Sequence, residues 1–257
     1  MSLDAVNISL QVGDRDLLKQ VDLKLIPGRI VVVVGPNGAG KTSLLRCLSG
    51  DVLPDKGQVL LNGQCISSIN LLLRARAMGV LPQHSSLDFP FTCSEVVMLG
   101  RNPHQTGRQL DQEIVALALR AVDAQGLQNR YYTRLSGGEK QRVQLARVLA
   151  QVWLSSSEGE RYLLLDEPTA SFDLAHQLLT RNVIRQMANQ GAGVFIVLHD
   201  LNLAAACADE LIVMHQAKVF ARGAPKDVLT VDLLKDVFEV DASITSHPVT
   251  GQPLIIV

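Results

Sequence analysis

The sequence predicts an α/β fold: a mixed, largely parallel sheet with an inserted α-helical segment and a small C-terminal β appendage. "RIVVVVG", Arg29 to Gly35, is a continuous β-branched run of the kind found in strands buried on both faces. From Tyr162 onward, strand-like and helix-like stretches alternate, which is the pattern of strands laid parallel with helical crossovers. Between these parts, from about Phe91 to Gln151, apolar residues recur at three- and four-residue spacing.

In chain order, "AVNISLQV" and "VDLKLI" alternate apolar and polar residues, and "GDRD" between them reads as a turn. The buried strand at Ile30 is followed by a helix expected near Lys41. "GQVLLNG" and "MGVLPQ" are further short strands. "SEVVMLG", "LDQEIVALALRAVDAQG" and "GEKQRVQLARVLAQVW" read as helices. In the last, Val143, Ala146, Leu149 and Trp153 share a face. Then come "YLLLDEP", "DLAHQLLTRNVIRQMANQG", "GVFIVLHD", "LNLAAACADE" and "LIVMHQ". Residues 1–90 and 155–240 are expected to form the core of a single domain, and 91–154 the helical subdomain. "SSSEGE", Ser155 to Glu160, reads as a polar loop. Residues 241–257 form the appendage, turning at "PVTG".

Composition narrows the function. The chain has 257 residues, 47% hydrophobic content and a net charge of -1, with no basic stripe to serve as a nucleic-acid footprint. No apolar run approaches the ~20 residues that span a bilayer. The N-terminus lacks the pattern of a secretory signal, so a cytoplasmic location is expected. Cys47, Cys65, Cys93 and Cys207 are far apart, which suggests reduced packing residues and neither a disulfide frame nor a zinc site.

The chemistry starts at "GPNGAGKTS", Gly35, Pro36, Asn37, Gly38, Ala39, Gly40, Lys41, Thr42 and Ser43. It fits the phosphate-loop pattern and stands between a buried strand and a helix, the context the pattern requires. The glycines let backbone amides curl around a phosphate chain, Lys41 reaches terminal phosphates and the Thr42 hydroxyl is placed for Mg²⁺. "YLLLDEP" ends a strand with Asp166, a candidate Mg²⁺ ligand, and Glu167, a candidate general base. Gln83 and His199 end two other strands and are candidates for the same sheet edge. "LSGGE", from Leu135, feeds a helix N-terminus with Ser136, Gly137 and Gly138, a second anion site far from the first.

In order, the chain thus shows "GPNGAGKT", "LPQ", "LSGGEKQ", "LLLDEP", "SFD" and "VLHD". It resembles the ATPase subunits of ABC transporters, a branch of the phosphate-loop NTPases. The resemblance implies ATP and Mg²⁺ as cofactors, with Thr42, Asp166 and Gln83 around the metal. It implies two copies paired head to tail, each ATP held by one chain's phosphate loop and capped by Ser136, Gly137 and Gly138 of the other. It implies Glu167 as general base, His199 as γ-phosphate sensor, Gln83 near the attacking water and Asp173 as a link across the interface. Family members usually stack an aromatic ring on adenine where this chain has Val12. Arg15 is the alternative for that role.

"FTCSEVVMLGRNPH" and the tail from "PKDVLTVDLL" resemble the bacterial importers of siderophores, vitamin B12 and haem. Within that class "LPQHSSLDFPFTCSEVV" and the polar loop before "RYLLLDEPTASFDLAHQ" look most like the haem importers. The expectation is a peripheral ATPase at the cytoplasmic face of the inner membrane. It would act with two copies of a separate permease and, indirectly, a periplasmic substrate-binding protein, and with no nucleic acid. A siderophore or B12 importer is the alternative, and a soluble repair or translation ATPase a more distant one. His84, His104, His176 and His215 are not read as haem ligands. Phe89 and Phe91 either anchor the permease or pack inside the helical subdomain.

Overall fold

The computed structural model describes residues 1–83, 87–154 and 159–257. His84 and the Ser155–Glu158 part of the polar loop lie outside them. The N-terminal alternation becomes two long antiparallel strands, β1 (Leu3–Val12) and β2 (Arg15–Leu25). The turn is tighter than expected: Arg15 and Asp16 already belong to β2, which pairs Val12 with Arg15. The β-branched run is β3 (Ile30–Val34), buried along its whole length, and it feeds α1 (Lys41–Ser49). Then follow β4 (Lys56–Leu61), the short β5 (Gln64–Cys65), α2 (Leu71–Ala77) and β6 (Met78–Leu81).

Among the described residues, three α-helices stand between β6 and the next strand: α3 (Cys93–Met98), α4 (Arg108–Ala121) and α5 (Gly137–Gln151). Ile114, Val115, Ala118 and Leu119 of α4 are buried together with Val143, Ala146 and Leu149 of α5, the periodic face read from the sequence. Arg101 is 2% exposed there, and its guanidinium is satisfied by Asp111, Thr106 and the Ala150 carbonyl. Such pairing is what a buried charge requires.

The alternation then runs β7 (Tyr162–Asp166), α6 (Leu174–Asn189), β8 (Gly193–Val197), α7 (Leu201–Cys207), β9 (Glu210–His215) and β10 (Lys218–Gly223). The short α8 (Pro225–Val228) and α9 (Val231–Phe238) lead to a hairpin, β11 (Ser243–Ser246) and β12 (Pro253–Ile256), turning through Pro248–Gly251.

The strands form two main sheets. A six-stranded sheet has the order β10-β9-β3-β8-β7-β6 and is parallel except for its β10 edge. A separate antiparallel sheet, β2-β1-β4-β5, faces it across α1, whose Leu44, Leu45, Cys47 and Leu48 are buried in the core shared by the two sheets. Full burial of each such leucine is worth roughly 1.5–3 kcal/mol, so the helix that starts at Lys41 is clamped from both sides. Because β3, β6, β7 and β8 run parallel, the loops leaving their carboxyl ends meet at one edge. Those loops carry the phosphate loop, Gln83, Asp166–Glu167 and His199.

The four cysteines are free thiols, and Cys47, Cys93 and Cys207 are buried. No helix among the described residues is long and apolar enough to cross a membrane.

Candidate ATPase site

The phosphate loop owes its shape to backbone that only glycine adopts easily. Gly35 has φ 150°, Gly38 77° and Gly40 102°. A Cβ on Gly35 would lie 2.1 Å from the Met214 carbonyl oxygen, and one on Gly40 would lie 2.3 Å from that of Leu17. The loop is therefore pressed against β9 and β2 as well as curled. Lys41 is 6% exposed, and its Nζ donates to the carbonyls of Gly35 at 2.8 Å and Pro36 at 3.0 Å. Burial pushes its pKa down, while the carboxylates of Glu167 and Asp166 oppose that shift.

Asp166 ends β7 with 2% exposure, and neither carboxylate oxygen has a hydrogen-bond partner. Burial pushes its pKa up; the nearby Thr42 hydroxyl pulls the other way without reaching hydrogen-bond geometry. A buried carboxylate without a partner is costly. The donor set fits a divalent cation of the magnesium type, which uses one or two carboxylates together with hydroxyl, water and substrate phosphate oxygens. Among the described residues no three His, Cys, Asp or Glu side chains group to make a protein-only metal cage.

Glu167 sits at the first turn after β7 with φ 50°, an uncommon conformation for a residue with a side chain. Its amide donates to the Val197 carbonyl at 3.1 Å, tying it to β8. Its Oε1 accepts from Gln83 Nε2 at 3.0 Å and lies 2.5 Å from His199 Nε2. The structure thus brings together Gln83, Glu167 and His199 beside the phosphate loop, in a recess of about 280 Å³ that Arg15, Leu17, Lys41 and Thr42 also line. A wider recess of about 740 Å³ adjoins it, sharing Arg15, Asn37, Gly38 and Ala39.

Val12 lines neither recess and is 64% exposed at the end of β1. Arg15 lines both, with its guanidinium close over Gly38.

The signature residues Ser136, Gly137 and Gly138 do not line the phosphate-loop recess. They form the N-terminus of α5 through a capping box. Glu139 Oε2 accepts from the Ser136 amide at 2.8 Å and from its hydroxyl at 2.9 Å, while Ser136 Oγ accepts from the Glu139 amide at 3.4 Å. These hydrogen bonds hold the Glu139 carboxyl below the usual carboxylate range. Asp173 caps α6, accepting at Oδ1 from the His176 amide at 2.9 Å and contacting His176 Nδ1 at 2.8 Å.

Gln141 was not singled out in the sequence, although it closes "LSGGEKQ". Its Nε2 donates to the Glu167 carbonyl at 2.9 Å, and its Oε1 accepts from the Ser171 amide at 3.3 Å. It bolts the signature helix to the segment that carries Glu167 and Asp173. His104 bonds to the Gln151 carbonyl at 2.7 Å, a packing role. Phe89 is 69% and Phe91 37% exposed, with ring centroids 6.2 Å apart, so the Phe89 ring at least is not buried inside the helical segment.

The comparisons with known proteins agree with this geometry. The family model described as ABC transporter matches residues 18–170. The chain is 48% identical over 250 residues to the hemin import ATP-binding protein HmuV of Pseudomonas fluorescens, covering 97% of both chains. It is 46% identical over 256 residues to the protein of the same name from Gloeobacter violaceus, covering 99% of this chain and 93% of that one. Among solved structures it superposes on an ATP-binding subunit of an ABC transporter with TM-score 0.78 at 20% identity, over 88% of this chain and 91% of that one. It also superposes on a dimeric ATP-binding cassette bound to ADP and Pi with TM-score 0.76 at 22% identity, over 86% and 98%. With the phosphate loop, the strand-end carboxylates and the signature helix all built on one α/β frame, the chain belongs to the ABC transporter family and is one of its ATPase subunits.

Proposed function

We propose that this chain hydrolyses ATP to drive hemin import through a separate permease. The relatives above carry that cargo in their names at 46–48% identity over nearly the whole chain. The observation that carries the ATPase chemistry is the Glu167 carboxylate, held at Oε1 by Gln83 and His199. Among the described residues both partners sit on that one oxygen, which leaves Oε2 to take a proton from an attacking water. His199 then marks the γ-phosphate position, and Gln83 orients both the carboxylate and the water. Thr42, Asp166 and Gln83 would hold Mg²⁺, which neutralises developing charge on the phosphates. Lys41 reaches the terminal phosphates from the loop.

In this reading two copies pair head to tail, and Ser136, Gly137 and Gly138 of one cap the nucleotide seated on the phosphate loop of the other. Asp173, exposed at the start of α6, meets the partner near that cap. Residues 91–154 act as an inserted subdomain on the core of residues 1–90 and 155–240, and 241–257 as an appendage. The exposed pair Phe89–Phe91 docks two permease subunits to the dimer, since aromatic residues dominate many interface anchors. The pair would rest peripherally on the cytoplasmic face of the inner membrane, with a periplasmic binding protein delivering cargo from the other side.

The test is ATPase activity of the reconstituted importer with its binding protein, loaded in turn with hemin, a ferric siderophore and vitamin B12. The reading expects hemin alone to stimulate turnover. Stimulation by a siderophore or by B12 instead would reassign the cargo.

A further inference from the structure

The signature serine is not free to turn towards a phosphate: its hydroxyl donates to Glu139 Oε2 at 2.9 Å. The same carboxylate binds Arg130 through its other oxygen, Nη1 to Oε1 at 3.0 Å. Arg130 is itself anchored. Its carbonyl accepts from the Cys93 amide at 2.9 Å, and its neighbours Gln128 and Tyr132 bond to Ser94 and Phe91. An antiparallel bridge between Thr92 and Tyr131 completes the seam. The segment that ends the exposed Phe89–Phe91 stretch and the loop that carries Arg130 are thus one backbone unit, which reaches the signature through the Arg130–Glu139 ion pair and through Tyr132, whose ring lies under Lys140 Nζ at 5.8 Å.

The chemistry gives this pair a task. At the signature a carboxylate stands within one side chain of the place where phosphates arrive. A helix N-terminus tolerates an acidic residue, and favours it for capping. A triphosphate brought against the same helix end meets that negative charge as repulsion. A guanidinium on the carboxylate cancels the charge and weakens its grip on the serine hydroxyl. We propose that Arg130 and Glu139 are positioning residues for the signature: Glu139 holds the end of α5 in shape, and Arg130 neutralises it so that the Ser136 hydroxyl and the first amides of α5 can receive the γ-phosphate of the partner's nucleotide. This rests on the composite-site reading above.

The test is an ATP titration of dimer formation by the full chain carrying Glu167→Gln, followed by sedimentation, with nucleotide binding to the monomer measured alongside. Arg130→Ala should raise the ATP concentration needed for dimerisation about five-fold, as loss of a part-exposed pair allows, while monomer ATP affinity and melting temperature stay put. Arg130→Lys should restore most of the loss. Glu139→Gln added to Arg130→Ala should also restore it, because glutamine keeps the capping box without the charge. Dimerisation of Arg130→Ala at the unaltered ATP concentration would overturn the proposal, as would a loss that Glu139→Gln does not relieve. Ser136→Arg is the control on the underlying reading. If that variant still dimerises, the signature assignment fails; if it does not while Arg130→Ala is unaffected, only the positioning role fails.

Discussion

The two glycine-rich helix N-termini that we propose as anion sites are built in opposite ways. The phosphate loop is rooted in the core: Lys41 is 6% exposed, three glycines hold positive φ, and neighbouring backbone stands where a Cβ on Gly35 or Gly40 would go, while Asn37 and Gly38 at its tip face solvent. The signature end is a surface structure. Ser136 has ordinary extended backbone at φ -65°, and a Cβ on Gly137 would meet nothing within 4 Å. The first has no room for a side chain at Gly35 or Gly40. The second is satisfied by its own side chains and presents Ser136 and Gly137 outward, as the proposed capping of a partner's nucleotide requires.

Alanine scanning at the glycines should break this contrast most widely. Gly40→Ala places a methyl group against the Leu17 carbonyl in left-handed backbone. It should abolish nucleotide binding and cost stability by ~3 kcal/mol or more from strain and overpacking. Gly137→Ala should leave stability unchanged or raise it by up to ~1 kcal/mol, since alanine is the better helix former. Chemical denaturation of both variants reads the difference. Equal costs would mean that the signature end is as rigid as the loop.

Glu167→Gln should lower turnover by ~10² or more and leave ATP bound, trapping the dimer. Turnover at the wild-type rate would remove Glu167 from the role of base.

Asp166 sharpens the contrast from the side of stability. Its pKa is raised in the fold, so between the unfolded value and that raised value the folded chain holds the extra proton. Stability conferred by that proton is fully present at low pH and is lost as pH climbs through the window. At neutral pH the ion is a burden, which Asp166→Asn removes. The variant should melt at a higher temperature than wild type without nucleotide, gaining on the order of 1–2 kcal/mol, and should not hydrolyse ATP. A lower melting temperature would mean that the carboxylate is satisfied by the fold.

At the outer end, Ser136→Ala removes a capping hydroxyl and should cost about 1 kcal/mol of stability, checked by thermal melting against the Ser136→Gly variant.

The same contrast explains what could be read in the sequence. The phosphate loop was legible because backbone packing forces both the residue types and the spacing of "GPNGAGKT". Asp166 was legible as the polar end of an apolar strand. Gln83 and His199 stand at strand ends as expected, but a lone Gln or His there is ambiguous; only the parallel order of β3, β8, β7 and β6 brings them to Glu167. Glu139 was readable from the S-x-x-E spacing of a capping box in "SGGE", whereas the reach of Arg130 to Glu139 and of Gln141 to Glu167 and Ser171 depends on tertiary contacts that periodicity does not trace. The helix α2, "LLLRARA", was missed because it buries none of its residues, and β10 because its alternation is only half-buried. The independence of the antiparallel sheet was also hidden, since alternation marks a strand but not the sheet it joins.

The central claim is that the two anion ends complete one site across two chains. Disulfide crosslinking tests it directly, using a chain in which Cys47, Cys65, Cys93 and Cys207 are replaced and Ser136→Cys is combined with Asn37→Cys on a Glu167→Gln background. The account predicts a covalent dimer that forms with ATP and not without it. A link within a single chain, or a dimer indifferent to ATP, would contradict it.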